Sequence, residues 1–315
     1  MTTRVAAIDC GTNSIRLLVA DLPPAGAGPD APLVDVVRRM TIVRLGEGVD
    51  RTGRLSAAAI ERTRVALAAY AAEIESLGAR RVRMCATSAS RDAENAEEFR
   101  AMVSATLGVP PEVVTGDEEA RLSFTGAVRG LAADARPPYL VVDIGGGSTE
   151  FVLGDTTVHG AISVDIGCVR MTERHLRSDP PTAEEIAAAE ADVTAVVDRA
   201  LAAVPGRDAA TLVGVAGSVT TVAAIALGLP AYDSERIHRA RVSYDEVAKV
   251  TADLLGRSVA QRMEIPVMHP GRADVIGAGA LVLRIIMERA GMTSMVASEH
   301  DILDGIAWSL AETAG

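Results

Sequence analysis

The rhythm of apolar and polar positions changes several times along the chain. Residues 4–19 read as strand, turn and return strand: an apolar run over 5–8, then Asp9-Cys10-Gly11-Thr12-Asn13-Ser14, then a second run over 15–19. A loop rich in proline and glycine separates Asp21 from Pro32, and a third strand-like stretch covers 33–45. Ser56 stands where a helix cap belongs. Ile60, Leu67, Tyr70, Ala71, Ile74 and Leu77 then share one helical stripe, and Gly78 stops it. The spacing further predicts a strand over 82–87, a helix over 93–107 and a short strand over 112–115. A helix over 117–131 follows, with Ala120, Phe124, Ala127, Val128 and Leu131 facing a core.

After that the pattern starts again. An apolar strand over 139–143 leads into Gly145-Gly146-Gly147-Ser148, and a return strand covers 149–153. A shift of 134 residues lays Asp9 on Asp143, Gly11 on Gly145 and Ser14 on Ser148. A third strand (158–171), a long helix (183–204), a strand (211–216) and a helix (219–227) follow in the order of the first half. This is an internal duplication of a β-β-β-α-β-α unit. It predicts an α/β protein of two similar domains, 1–125 and 126–299, with a closing helix at about 300–315 packing back on the first.

Composition narrows the function. With 49% hydrophobic and 23% charged residues the chain is globular, and 315 residues suit two domains. The 31 basic and 42 acidic residues leave a net charge of −11, which argues against a nucleic-acid coat and requires any anionic substrate to find a local basic site. Aromatics, at 3%, are too few for stacking platforms. Cys10, Cys85 and Cys168 are scattered, so neither a disulfide framework nor a zinc site is expected. The N-terminus lacks a signal-peptide core. The uncharged stretch 209–232 divides into strand, glycine turn and short helix and does not read as a membrane span. A cytoplasmic protein without membrane or nucleic-acid partners is expected.

The duplicated turn carries the chemistry. Its glycines let backbone N–H groups converge on one spot, a nest for phosphate oxygens, and the strand-ending Asp143 brings a carboxylate suited to a hard cation. Ser148 and Thr149 add hydroxyl donors. A single copy is as easily a plain tight hairpin; two copies in matching places are not. A dinucleotide-binding reading fails because that glycine turn opens a helix, whereas this one opens a strand. Glu118 and Glu119 begin a helix, where either carboxylate suits the dipole, and only one of two neighbours can face a given side. Glu119 lies above Ser123, Gly126 and Gly130, a stripe of small residues, and is the candidate base; Glu118 lies above Leu122 and Arg129. Arg236, His238, Arg239 and Arg241 form a dense cationic run that either guides a polyanion or is a solvated face. Ser298-x-x-Asp301 reads as a helix-start cap, and His269 and His300 lack ligand-spaced partners.

The paired hairpins resemble the actin, sugar-kinase and Hsp70 superfamily, and within it the exopolyphosphatase/guanosine pentaphosphate phosphohydrolase family. The resemblance runs through Ala7-Ile8-Asp9-Cys10-Gly11-Thr12-Asn13-Ser14, Ala86-Thr87-Ser88-Ala89-Ser90-Arg91 and Thr115-Gly116-Asp117-Glu118-Glu119-Ala120-Arg121. It continues over 142–153, Gly271-Arg272-Ala273-Asp274 and Ser298-Glu299-His300-Asp301. It implies duplicated actin-like (ribonuclease H-like) domains flanking a cleft, and hydrolysis of the terminal phosphoanhydride of inorganic polyphosphate to release orthophosphate. Guanosine pentaphosphate 5′-phosphohydrolase is the alternative substrate reading. A non-catalytic polyphosphate- or alarmone-binding regulator is the alternative of another class. The implied catalytic residues are Glu119, Glu150 and Arg91. Gly11, Thr12, Asn13, Ser14, Gly145, Gly146, Gly147 and Ser148 would bind phosphate, and Asp143, with Asp9 or Glu150, would hold Mg2+ or Mn2+. Residues 214–221 resemble the adenosine loop of the ATPase relatives. A homodimer is expected, as is a preference for short or medium chains, because the helical domain of longer members has no counterpart in these 315 residues.

Overall fold

The computed structural model describes residues 3–24, 27, 31–131 and 135–312. They form two compact units, Met1–Gly130 with Asp301–Gly315, and Leu131–His300.

In the first unit β1 (Thr3–Cys10), β2 (Ser14–Leu22), β3 (Val34–Ile42), β4 (Arg81–Ala86) and β5 (Glu112–Val113) form a sheet in the order β3-β2-β1-β4-β5. β1 runs antiparallel to β2, with Asp9 opposite Arg16, and parallel to β4. Residues 5–10 of β1 are all buried, as expected of a central strand covered on both faces. Helices α1 (Val49–Thr52), α2 (Ala57–Leu77), α3 (Ser88–Asp92), α4 (Ala96–Leu107) and α5 (Gly116–Val128) complete the segment. Ser56 Oγ accepts the Ala59 amide at the start of α2, and Gly78 (φ 70°) ends it. The single helix expected over 93–107 begins only at Ala96. The chain breaks before it because the Asn95 amide side chain exchanges two hydrogen bonds with the Leu55 backbone (2.9 and 3.0 Å).

The second unit repeats the arrangement. Its strands β6 (Tyr139–Ile144), β7 (Thr149–Gly154), β8 (Val158–Val164), β9 (Thr211–Val215), β10 (Arg241–Ser243) and β11 (Ser294–Ala297) lie in the order β10-β11-β9-β6-β7-β8. Read from the other edge, β8-β7-β6-β9-β11 matches β3-β2-β1-β4-β5. The third strand is shorter than the expected 158–171: it ends at Val164, and α6 (Cys168–His175) takes over. The remaining helices are α7 (Ala183–Ala203), α8 (Ala216–Ala226), α9 (Ser234–Ile237), α10 (Tyr244–Gly256), α11 (Val259–Met263) and α12 (Ile276–Ala290). The uncharged 209–232 resolves into β9, α8 and a turn, and among the described residues no helix is long and apolar enough to cross a membrane.

The chain then returns to the first unit as α13 (Ile302–Glu312). Its Ile302, Leu303, Ile306 and Ala307 share a core with Val5, Ala7, Leu18, Cys85 and Leu122. α13 crosses α5 backbone to backbone. A Cβ on Gly126 would stand 1.8 Å from Asp301 O, and one on Gly305 1.9 Å from Leu122 O. Only glycine permits that approach. The helix is capped one turn later than Ser298-x-x-Asp301 suggests. Asp301 Oδ1 accepts the Leu303 amide and Asp304 Oδ2 accepts the Asp301 amide, both at 3.0 Å. Ser298 instead exchanges hydrogen bonds with the backbone of His300.

Candidate active site

Both glycine turns close in the same way: Gly11 N donates to Ser14 O, and Gly145 N to Ser148 O, each at 3.0 Å. The carbonyls of both are held by the segment that follows the third strand. In the first loop Thr12 O accepts from Gly46 N (2.9 Å), and Asn13 O accepts from Val43 N and Arg44 N (3.0 and 2.9 Å). In the second, Gly145 O accepts from Cys168 N (2.9 Å), and Gly146 O from Val169 N and Arg170 N (2.9 and 3.1 Å). Glycine is required at the crossing in both cases. A Cβ on Gly46 would lie 2.4 Å from Thr12 Cγ2, and one on Gly167 2.3 Å from Gly146 O. This contact is what turns the chain out of β8 and starts α6.

Charge separates the two hairpins. Asp9 Oδ2 accepts from Arg16 Nε (2.9 Å) and Nη2 (2.7 Å), while Arg16 Nη1 donates to Asp301. Asp304, beside Asp301, holds Arg38 at 2.6 Å. Burial pushes the Asp9 carboxyl above the ordinary carboxylate range in spite of Arg16. Burial works the same way on Asp301, but the charges of Arg16 and Arg38 and the Leu303 amide outweigh it and hold Asp301 low. At the matching place of the second hairpin Asp143 stands opposite Glu150, and Glu150 opposite Ser163. Residues directly opposite in an antiparallel pair share a face. Two buried carboxylates therefore sit side by side, and Ser163 Oγ donates to Glu150 Oε1 at 2.7 Å.

The first unit also brings Arg91 and Glu119 together. The Thr87 amide donates to Cys10 O (3.1 Å), and the Ser88 and Thr12 hydroxyls lie 2.9 Å apart, so α3 starts beside the first loop at the carboxyl ends of β1 and β4. Arg91, on α3, donates from Nη1 to Val114 O (3.1 Å) and to Glu119 Oε2 (3.0 Å). The Glu119 side chain is 8% exposed; that of Glu118 is 45% exposed and bound by Arg83 at 2.6 Å. The small-residue stripe below Glu119 marks the seam with α13, through Gly126.

Other sequence candidates fall elsewhere. Arg236, Arg239 and Arg241 are exposed, whereas His238 stacks on His300 with ring centroids 4.4 Å apart. His269 caps a short turn by accepting the Gly271 amide. In the 214–221 segment Ala216 has left-handed φ (67°), and Gly217 lies under the Arg272 guanidinium, which donates to Thr221 Oγ1 at 3.3 Å. The three cysteines are buried and free. No local sequence signal marks Ser163 and Arg170, whose partners Glu150 and Gly147 lie 13 and 23 residues away.

Two actin-like α/β units, each presenting a glycine turn at the carboxyl end of a central strand, define a protein of that superfamily. The chain belongs to the Ppx/GppA phosphatase family, whose sequence profile matches residues 26–313. It is 52% identical to Exopolyphosphatase 2 of Mycobacterium tuberculosis over 98% of this chain and 99% of that protein. Among solved structures it is similar to an exopolyphosphatase-like protein (43% identity, TM-score 0.93, 99% of each chain). It is also similar to the PPX-GPPA enzyme of Aquifex aeolicus (31% identity, TM-score 0.80, 98% of this chain and 100% of that one).

Proposed function

We propose that this protein is an exopolyphosphatase, cleaving the terminal phosphoanhydride of inorganic polyphosphate and releasing orthophosphate. The observation that carries the reading is the buried Glu119, fixed by Arg91 beside the first phosphate loop. A carboxylate so placed takes a proton from the water that attacks the terminal phosphorus. The N–H groups of Thr12, Asn13 and Ser14, those of Gly146, Gly147 and Ser148, and the Arg91 guanidinium bind the non-bridging oxygens, while Gly11 and Gly145 use their N–H groups to close the turns. Such preorganised donors stabilise charge as it develops, which is most of what phosphoryl transfer asks of a protein.

A divalent cation fits the second hairpin and not the first. Asp143 and Glu150 offer hard oxygen donors on one face, with Ser163 orienting Glu150, whereas Asp9 is already paired with Arg16. Asp143 and Glu150 would hold Mg2+, or Mn2+ in its place, and the bound ion would neutralise charge on the phosphate oxygens. Among the described residues no group of three or more His, Cys, Asp or Glu could hold a metal, so phosphate and water complete the shell, as is usual for Mg2+.

The protein works in the cytoplasm as a homodimer and prefers short or medium chains. Orthophosphate release from polyphosphate, guanosine pentaphosphate and ATP, measured side by side with and without EDTA, tests the reading. Polyphosphate is expected to give the highest kcat/KM, and EDTA to abolish release. Faster turnover of guanosine pentaphosphate would reassign the substrate, and no release from either would leave a binding regulator. Sedimentation as a monomer would remove the dimer.

A further inference from the structure

The second phosphate loop is held from behind by a side chain as well as by backbone. Arg170 Nε donates to Gly147 O at 2.7 Å, and its side chain is only 13% exposed. The exposed Asp165 lies 3.7 Å from Nη2. With Cys168, Val169 and Arg170 donating backbone amides to Gly145 O and Gly146 O, three successive loop carbonyls are pinned on one side. A trans peptide is planar, its C=O and N–H pointing in opposite directions. Pinning the carbonyls of Gly145, Gly146 and Gly147 therefore directs the N–H groups of Gly146, Gly147 and Ser148 to the other side, where an anion sits. In the first loop the carbonyl that matches Gly147 O is Asn13 O, held by two backbone amides. There a neutral brace does what a guanidinium does here.

We propose that Arg170 is a positioning residue of the second phosphate loop. Its guanidinium holds the Gly147–Ser148 peptide with the Ser148 N–H toward the bound phosphoryl group, and it sets a positive charge one peptide behind that anion. The proposal rests on reading this loop as phosphate-binding. A charge-assisted hydrogen bond to the carbonyl also polarises the peptide, strengthening the amide on its far side.

Orthophosphate serves as the probe, because it tests the loop whether or not the chain hydrolyses polyphosphate. Titration of the parent and of Arg170→Met, Arg170→Gln and Arg170→Ala, followed by 31P NMR or calorimetry, is combined with melting temperatures. Arg170→Met is expected to weaken orthophosphate binding about tenfold with an unchanged melting temperature. Arg170→Gln, which keeps a donor without the charge, should fall between. Millimolar guanidinium should restore binding to Arg170→Ala, a rescue that a role in fastening α6 alone would not show. In the polyphosphate assay KM should rise by a similar factor with a smaller change in kcat. Orthophosphate affinity within twofold of the parent in Arg170→Met would overturn the proposal. So would a loss that follows the melting temperature and ignores guanidinium, or a parent that does not bind orthophosphate. A parent that binds orthophosphate and loses it in Arg170→Met, yet releases none from polyphosphate, sinks the enzymatic reading and leaves this one standing.

Discussion

Opposite the strand-ending aspartate of the first hairpin stands Arg16; at the matching place of the second stands Glu150. The backbones are alike, each turn closed by a 3.0 Å bond and each set of carbonyls held by the segment after the third strand. The charges are not. Asp9, Asp301 and Asp304, all buried, form a network with the partly exposed Arg16 and Arg38. Asp143 and Glu150 place two buried acids together, with Ser163 donating to Glu150. One exchanged residue thus separates a hairpin that sets an acid against a base from one that sets an acid against an acid, while the backbone geometry stays common to both. Duplication kept the geometry and let the electrostatics diverge.

The largest test converts one hairpin into the other. Glu150→Arg should place opposite Asp143 the residue type that stands opposite Asp9 and lower kcat on polyphosphate about 10³-fold or more at saturating Mg2+, since charge neutralisation by the proposed ion is worth several kcal/mol. Asp9→Asn should cost far less turnover. Equal losses in the two variants would erase the distinction. A second contrast lies within one helix. Glu119→Gln should reduce kcat by about 10²–10⁴-fold with little change in polyphosphate affinity, while Glu118→Gln, losing mainly its exposed bond to Arg83, should stay near the parent. If Glu118→Gln is the dead variant, the assignment of the base is wrong.

Stability offers the third test. Asp301 has a lowered pKa, so its contribution is complete above the ordinary carboxylate range and is lost as pH falls through its lowered value. Asp9 has the opposite sign: with a raised pKa, its ionisation costs the folded state as pH rises through that value. Asp301→Asn should lower the melting temperature at pH 7 by about 6–12 °C, as expected when one partner of a buried pair is removed. Asp9→Asn should lower it much less. The gap should narrow on acidification, and a gap of reversed sign would refute the assignment of these shifts. The smallest effect belongs to Ser163→Ala. It frees Glu150 from its hydroxyl partner and should raise the Mg2+ concentration for half-maximal activity by about threefold, the scale of one hydrogen bond. Ser163→Thr should restore it.

What the sequence disclosed follows from what is local. The glycine turns, the Ser56 and Gly78 ends of α2 and the doubling of the β-β-β-α-β pattern are set by neighbouring residues and are legible from them. The α6 helix is not, because the run from Val158 to Met171 keeps a strand-like apolar content and is redirected only by the Gly146 carbonyl meeting Gly167. The Asn95 clasp that splits 88–107 into α3 and α4 depends on Leu55, 40 residues away. Helix α12 is hard to read by periodicity for another reason: it is buried over most of its circumference, and only Arg284, Glu288 and Arg289 mark a polar side. At the site, Glu119 could be singled out from Glu118, and the structure buries it against Arg91; the stripe of small residues used to choose it serves the α13 contact instead. The pairing of Asp9 with Arg16 is not legible at all, because a motif shows residue types and not ion pairs.

The return of α13 has a consequence for synthesis on the ribosome. Domains generally fold as they emerge, N-terminal parts first. Here the first unit leaves the ribosome with Val5, Ala7, Leu18 and Leu122 still lacking Ile302, Leu303 and Ile306. At about 5–20 residues per second, the intervening stretch from Leu131 to His300 keeps them waiting for roughly 10–30 s. The second unit, built from one continuous stretch, has no such dependence and is expected to be complete first. The first half of the gene therefore encodes the half of the protein that finishes folding last.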